Sequence, residues 1–247
     1  MERKDSRWIG KTGMLALLDN LEESGEISHA IYLTPETLRS AKSSLCLPDD
    51  EPYRTRAAAI LSDLAESETG VALYLQAERS VAVLPPFPLK SDEVSDGANA
   101  APLKRLLTSD ITVGVVMLRL GRYGVGVVRG DKLIASKTDT RYVKHRHRAG
   151  GTSQRRFERS RERLVRELYD KACQVVGDVF APYQRDIDHV ILGGERHTLN
   201  GFVKRCRLLQ DLKGKTLSRL LQVDRPNHKA LTGIAYEVWK SRVIDFG

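Results

Sequence analysis

The sequence predicts an α/β protein in two parts: a small N-terminal α/β domain over residues 1–106, then a domain over 107–247 in the order β-β-β-α-β-α-β-α. Three observations carry that reading. Apolar runs from Ile111 to Tyr142, broken by glycine turns, read as three successive strands. A long stretch of helical periodicity follows, and short strand signals then alternate with helical ones, which implies a mixed sheet with helices on its faces. The chain length of 247 residues agrees with one large domain or two small ones.

Taken in order, "KTGMLALLDNLEES" is a helix, with Met14, Leu15, Leu17, Leu18 and Leu21 at helical spacing. "SHAIYLT" is a short strand. "PETLRSAKSSL" starts a helix, with Thr34 as N-cap and Pro35 at the first helical position. Arg54 to Ser67 is helical by its alanines and periodicity. "TGVALYLQAERSVAVLPPFPLK" reads as two strands joined around Ala77–Arg79 and closed by prolines. "SDEVSDGANAAP" is polar and reads as a linker or boundary.

In the second part, "ITVGVVMLRL", "YGVGVVR" and a segment from Lys132 onward form a strand meander. A helix is expected from about Arg155 to Phe180, with Phe157, Leu164, Val165, Leu168, Ala172, Val175, Val176 and Val179 as its apolar stripe. "HVILGGE" is a buried strand, "LNGFVKRCRLL" a helix, "TLSRLLQVD" a strand, and Asn227 to Val243 a closing helix. This order resembles the ribonuclease H-like layout.

Charge singles out one segment. Ten Lys and Arg between Arg141 and Arg166 face only Glu158 and Glu162, so this stretch accounts for the whole net charge of +8. A neutral chain with one concentrated basic patch points to a polyanionic partner; the ordinary alternative is a solvated helix face. Within the patch, Gly150 and Gly151 admit left-handed backbone and close approach. Thr152 or Ser153 can cap the helix that follows, and Gln154 comes next. A lone G-G-x-x-Q is a weak pattern by itself.

The start of the chain has charge but no sustained apolar stretch, and no apolar run of about eighteen residues occurs, so neither a signal nor a membrane span is expected. Cys46, Cys173 and Cys206 are scattered and form no C-x-x-C, so no disulfide framework or zinc ribbon is indicated, and a reducing cytoplasm is the expected location. His145 and His147 form H-x-H, but Lys144, Arg146 and Arg148 beside them repel a cation and favour RNA contact over metal. A Mg²⁺ nuclease of this layout needs clustered carboxylates at the first strand, where Arg119 stands instead, and Glu195 is nearly alone. Gly193 and Gly194 before a helix read as a strand-to-helix turn, or as an anion site. No metal and no cofactor are expected.

"KHRHRAGGTSQRRFERSRE" resembles the catalytic loop of archaeo-eukaryotic class-1 peptide release factors and their relatives. In that family a basic segment leads into Gly-Gly-Gln and a helix with an R-F-x-x-x-R-like start, which Arg156, Phe157 and Arg161 match. "YGVGVVRGDKLI" and "HVILGGERHTLNGF" look like its flanking strands, and the likeness spans roughly Thr69 to Phe202. Here Thr152 follows the glycine pair, and glutamine arrives two residues later. That shifted G-x-x-Q is similar to the release-factor-like peptidyl-tRNA hydrolases of ribosome quality control.

The resemblance implies a codon-independent ribosome-rescue hydrolase that cleaves peptidyl-tRNA at the large subunit. Gly150 and Gly151 would shape the loop, which spans 141–156, and Gln154 would orient water or stabilise the oxyanion. Arg141, Lys144, His145, Arg146, His147, Arg148, Arg155, Arg156 and Arg159 would bind ribosomal RNA or the tRNA acceptor end. No counterpart of the codon-reading tip or of the third, GTPase-recruiting domain is visible, which favours codon-independent rescue without a GTPase partner; a monomer is expected. A non-catalytic ribosome-binding module of the same fold, as in Pelota-like relatives, and a nuclease acting on the tRNA 3′ end are the alternatives.

Overall fold

The computed structural model describes residues 3–40, 47–143 and 152–247, which divide into two compact units. The first unit comprises residues 1–109 and 239–247, the second 110–238. Elements of the first unit are β1 (Arg3–Ile9), α1 (Lys11–Ser24), β2 (His29–Leu33), α2 (Pro35–Arg39), α3 (Tyr53–Asp63), β3 (Val71–Leu75), β4 (Ser80–Leu84), β5 (Glu93–Asp96) and α4 (Ala101–Thr108). Thr34 caps α2 as its sequence position predicts, accepting from the Thr37 amide. One sheet face carries Ile31, Leu33, Leu73 and Leu75 against Ala57, Ile60 and Leu61 of α3. Lys104 of α4 binds Glu22 of α1 at 2.6 Å, and that ammonium holds the Glu22 carboxyl below its ordinary range.

The second unit runs β6 (Thr112–Arg119), β7 (Arg122–Arg129), β8 (Lys132–Thr140), α5 (Thr152–Phe180), β9 (His189–Gly194), α6 (Arg196–Arg205), α7 (Arg207–Asp211), β10 (Thr216–Leu221) and α8 (His228–Glu237). Its sheet has the order β10-β9-β6-β7-β8. β6, β7 and β8 form the expected antiparallel meander, while β9 lies parallel to both β6 and β10. Strand alternation sorts the faces. Val116, Leu118, Tyr123, Val125 and Val127 point to α5, where Leu168, Ala172, Val175, Val176 and Phe180 meet them. Gly124 and Gly126 have the opposite orientation and lie under Leu231 of α8, with no Cβ to hold it off.

Several expectations need correction. The closing helix ends at Glu237, and Ser241–Phe246 form a strand, β11, that pairs with β1 and β4 in the first unit. The boundary at 107–247 therefore assigns β11 to the wrong sheet. Residues 3–9 form the unexpected strand β1, and the expected linker holds β5, the other edge strand of the six-stranded sheet β1-β11-β4-β3-β2-β5. Both edges are polar, so they lack the apolar alternation that marks a strand. Phe157 is exposed, not part of the core stripe. A helix of 29 residues is about 43 Å long, well beyond the sheet strands it covers, so its first turns run past them.

Cys173 and Cys206 form a disulfide with Cα atoms 5.4 Å apart, against the expectation of no disulfide framework. Their separation of 33 residues matches no short-range cysteine motif; packing of α5 against the α6–α7 junction brings them together. Closing a loop of this size stabilises by about 3–4 kcal/mol in chain-entropy terms. Among the described residues no helix is long and apolar enough to cross a membrane.

Gly194 ends β9 with φ +125°, and a Cβ there would stand 2.1 Å from the Leu118 carbonyl oxygen. Gly194→Ala combines backbone strain with a clash against a paired strand. We expect it to cost about 3 kcal/mol or more, read as a lowered urea midpoint at unchanged m-value.

Candidate functional site

α5 begins at Thr152, so Gln154 is the third residue of a helix, not part of a loop reaching 156. The reason is local: Gln, Arg and Glu are good helix formers, and they continue without interruption into the buried part of α5. Gln154 donates from Nε2 to Oε1 of Glu158, one turn on, at 3.1 Å. A carboxylate only accepts, so this contact turns the amide NH₂ toward Glu158 and leaves the amide carbonyl oxygen as the outward acceptor. Glu158 was missed as a partner. Its i, i+4 spacing from Gln154 was the available signal.

Arg155, Arg156 and Arg159 are exposed and make no ion pair among the described residues. They surround the first turns of α5 together with Gln154. Arg141 is set apart. Its amide donates to Gly121 at 2.8 Å, and its guanidinium lies 3.9 Å from Glu167, which also binds Arg163 at 2.9 Å. Glu167 is about 20 Å along α5 from Gln154, so Arg141 is a partly neutralised cation at a distance from the glutamine. Lys144, His145, Arg146, His147, Arg148, Gly150 and Gly151 lie outside the described residues.

Like charges at this density repel along a helix unless an outside anion compensates. Phe157, on these same turns of α5, is 46% exposed. Such a ring offers a stacking face to a nucleobase. Further along, Arg205 of α6 forms a two-pronged pair with Asp170 of α5 and holds that carboxyl below its ordinary range.

The family model described as "Actinobacteria/chloroflexi VLRF1 release factor" matches residues 111–244, more than half of the chain. The chain belongs to the VLRF1 release factor family. It is also similar to peptide chain release factor subunit 1 of Archaeoglobus fulgidus, 30% identical over 132 residues, which cover 53% of this chain and 32% of that protein. The same protein of Methanopyrus kandleri is 32% identical over 117 residues, covering 47% and 28%. The VLRF1-family chain thus spans about a third of the length of the curated relatives it matches. Among solved structures, the archaeal translation termination factor aRF1 matches with a TM-score of 0.42 at 17% identity, covering 94% of this chain and 73% of that one. The Vms1 mitochondrial localization core matches with a TM-score of 0.39 at 14% identity, covering 85% and 98%.

If the unpaired arginines meet phosphates, replacing Arg155, Arg156 and Arg159 together by alanine will flatten the salt dependence of RNA binding. The slope of log K against log salt should fall by about 2, at 0.7–0.9 per lost phosphate contact. Fluorescence anisotropy across a salt series measures it, and the melting temperature should stay unchanged.

Proposed function

We propose that this VLRF1-family protein hydrolyses the ester of peptidyl-tRNA on the large ribosomal subunit, independently of any codon, and so frees stalled nascent chains. The observation that carries the reading is Gln154: a neutral amide on the first turn of α5, oriented by Glu158 and flanked by cations that make no ion pair among the described residues. Membership in a release factor family and the likeness to archaeal release factors support it. The strand order β10-β9-β6-β7-β8, with a long crossover helix before β9, fits the ribonuclease H-like layout of a release-factor catalytic domain.

The chemistry follows from the groups. Water attacks the ester carbonyl, the bond between that carbon and the ribose oxygen breaks, and the water proton passes to the ribose. Products are a peptide acid and an intact tRNA. Glutamine is too weak a base to take the proton, so its task is placement: the outward carbonyl oxygen accepts from the attacking water. Amide N–H groups near the loop would face the developing oxyanion, where one donor is worth roughly 3 kcal/mol. Gly150 and Gly151 would let the tip enter a narrow RNA-walled space. Lys144, His145, Arg146, His147, Arg148, Arg155, Arg156 and Arg159 would hold phosphates around it, and Arg141, beside Glu167, would meet the RNA further along α5.

On purified large subunits carrying a nascent chain, Gln154→Ala should slow peptide release by about a hundredfold or more with little change in subunit binding. Glu158→Ala, which frees the amide to rotate, should slow it by a smaller factor, about fivefold. Peptide is scored by gel, and the tRNA by its terminal nucleotide. Full release by Gln154→Ala would remove the glutamine from the mechanism, a shortened tRNA would mean nuclease action, and binding without release would mean a non-catalytic module.

A further inference from the structure

The second unit contains a cleft of about 510 Å³ that the proposed chemistry does not use. Its position follows from topology. β6 and β9 are parallel neighbours, yet the chain leaves β6 for β7 on one side and leaves β9 for β10 on the other. In open α/β sheets this reversal opens a crevice beyond the carboxyl ends of the strands, and ligands bind there. Leu120 directly follows β6 and Glu195 directly follows β9, and both line the cleft. Gly194 keeps the two strand ends in close contact at its base.

The groups facing this space are incomplete without a ligand. Nε of Arg161 is buried and has no hydrogen-bond partner among the described residues. An unpaired buried donor of this kind is costly, and a cationic one most of all. No side chain caps the first turn of α6, and His197 and Thr198 of that turn line the cleft. Opposite charge stands close by: the Glu195 carboxylate, with Oε2 held by the Thr198 hydroxyl at 2.8 Å, has a second oxygen that can accept. Leu120, Val165 and the ring of Tyr169 supply flat apolar surface. Burial, then the charge of Glu195, raises the Tyr169 phenol above its ordinary range, so it is protonated at neutral pH and can donate.

A simple anion would satisfy Arg161 and collide electrostatically with Glu195. A ligand with an anion at one end and an amino group at the other satisfies both. We propose that this cleft binds one nucleotide with an exocyclic amino group, adenylate, cytidylate or guanylate, splayed out of an RNA strand. Its phosphate meets Arg161 and the first turn of α6, its base lies on Leu120, Val165 and Tyr169, and its amino group donates to Glu195. The space exceeds the roughly 300 Å³ at which small-molecule sites begin. Unstacked bases held on rings and read along their edges are the usual mode of single-stranded RNA recognition. Arg161 is two helical turns after Gln154, about 10 Å along the same face of α5, so one strand can engage both. The strand's identity as the tRNA acceptor end rests on the ester-hydrolysis reading; nucleotide binding itself does not.

The test titrates the isotope-labelled full chain with AMP, CMP, UMP and inorganic phosphate, following the amide resonances of Glu195 to Thr198. AMP and CMP should give saturable shifts at about tenfold lower concentration than UMP or phosphate. Arg161→Gln should weaken AMP by about tenfold, and Glu195→Gln should bring AMP and UMP within about threefold of each other. Should Arg161→Gln fail to fold, His197→Ala, at an exposed residue of the first turn of α6, repeats the measurement. Gln154→Ala should bind AMP as the parent does, whatever its effect on peptide release, which separates failure here from failure of the hydrolase reading. Equal response to all four probes, response to phosphate alone, or no response at these amides would overturn the proposal.

Discussion

The parallel pairing of β6 with β9 is the contact on which the second unit depends. It forces the chain between them to cross the sheet, and α5 is that crossing. One end of α5 is committed to covering Val116, Leu118 and Val125, while the other carries the exposed Phe157. The same pairing brings the ends of β6 and β9 together so tightly that only glycine fits at position 194. Helix, cleft and exposed arginines are thus consequences of one register.

Two opposite electrostatic solutions are found along α5. Near its middle, Glu167 serves Arg141 and Arg163, and Asp170 serves Arg205, so cations there are answered within the chain. In its first turns Arg155, Arg156 and Arg159 have no such answer among the described residues. Exposed ion pairs add little stability, so the contrast concerns binding and not folding. Charge that the chain leaves uncompensated is available to an external polyanion.

The meander and the buried half of α5 were legible in the sequence because each repeats at its own period: apolar residues in strand runs from Val113 to Val128, and at helical spacing from Leu168 to Val176. The basic run was legible as bare charge. What sequence could not disclose were contacts made across long separations. β11 follows α8 with only Val238, Trp239 and Lys240 between, and nothing there breaks a helical pattern. β1 is an edge strand with four charged residues in seven. Cys173 and Cys206 meet only because two helices pack. Within the site, the helical start at Thr152 was hidden by a glycine pair that reads as loop, and Glu158 looked like one more solvated charge.

β11 occupies an interior place in the six-stranded sheet, between β1 and β4, although 156 residues separate β4 from it. The two neighbours it joins therefore face an open slot for as long as residue 246 has yet to be made. During synthesis the contiguous stretch 110–238 can complete its own sheet first, and the earlier-made unit must wait for it. A translation-related protein assembled this way would be finished in reverse order of its birth.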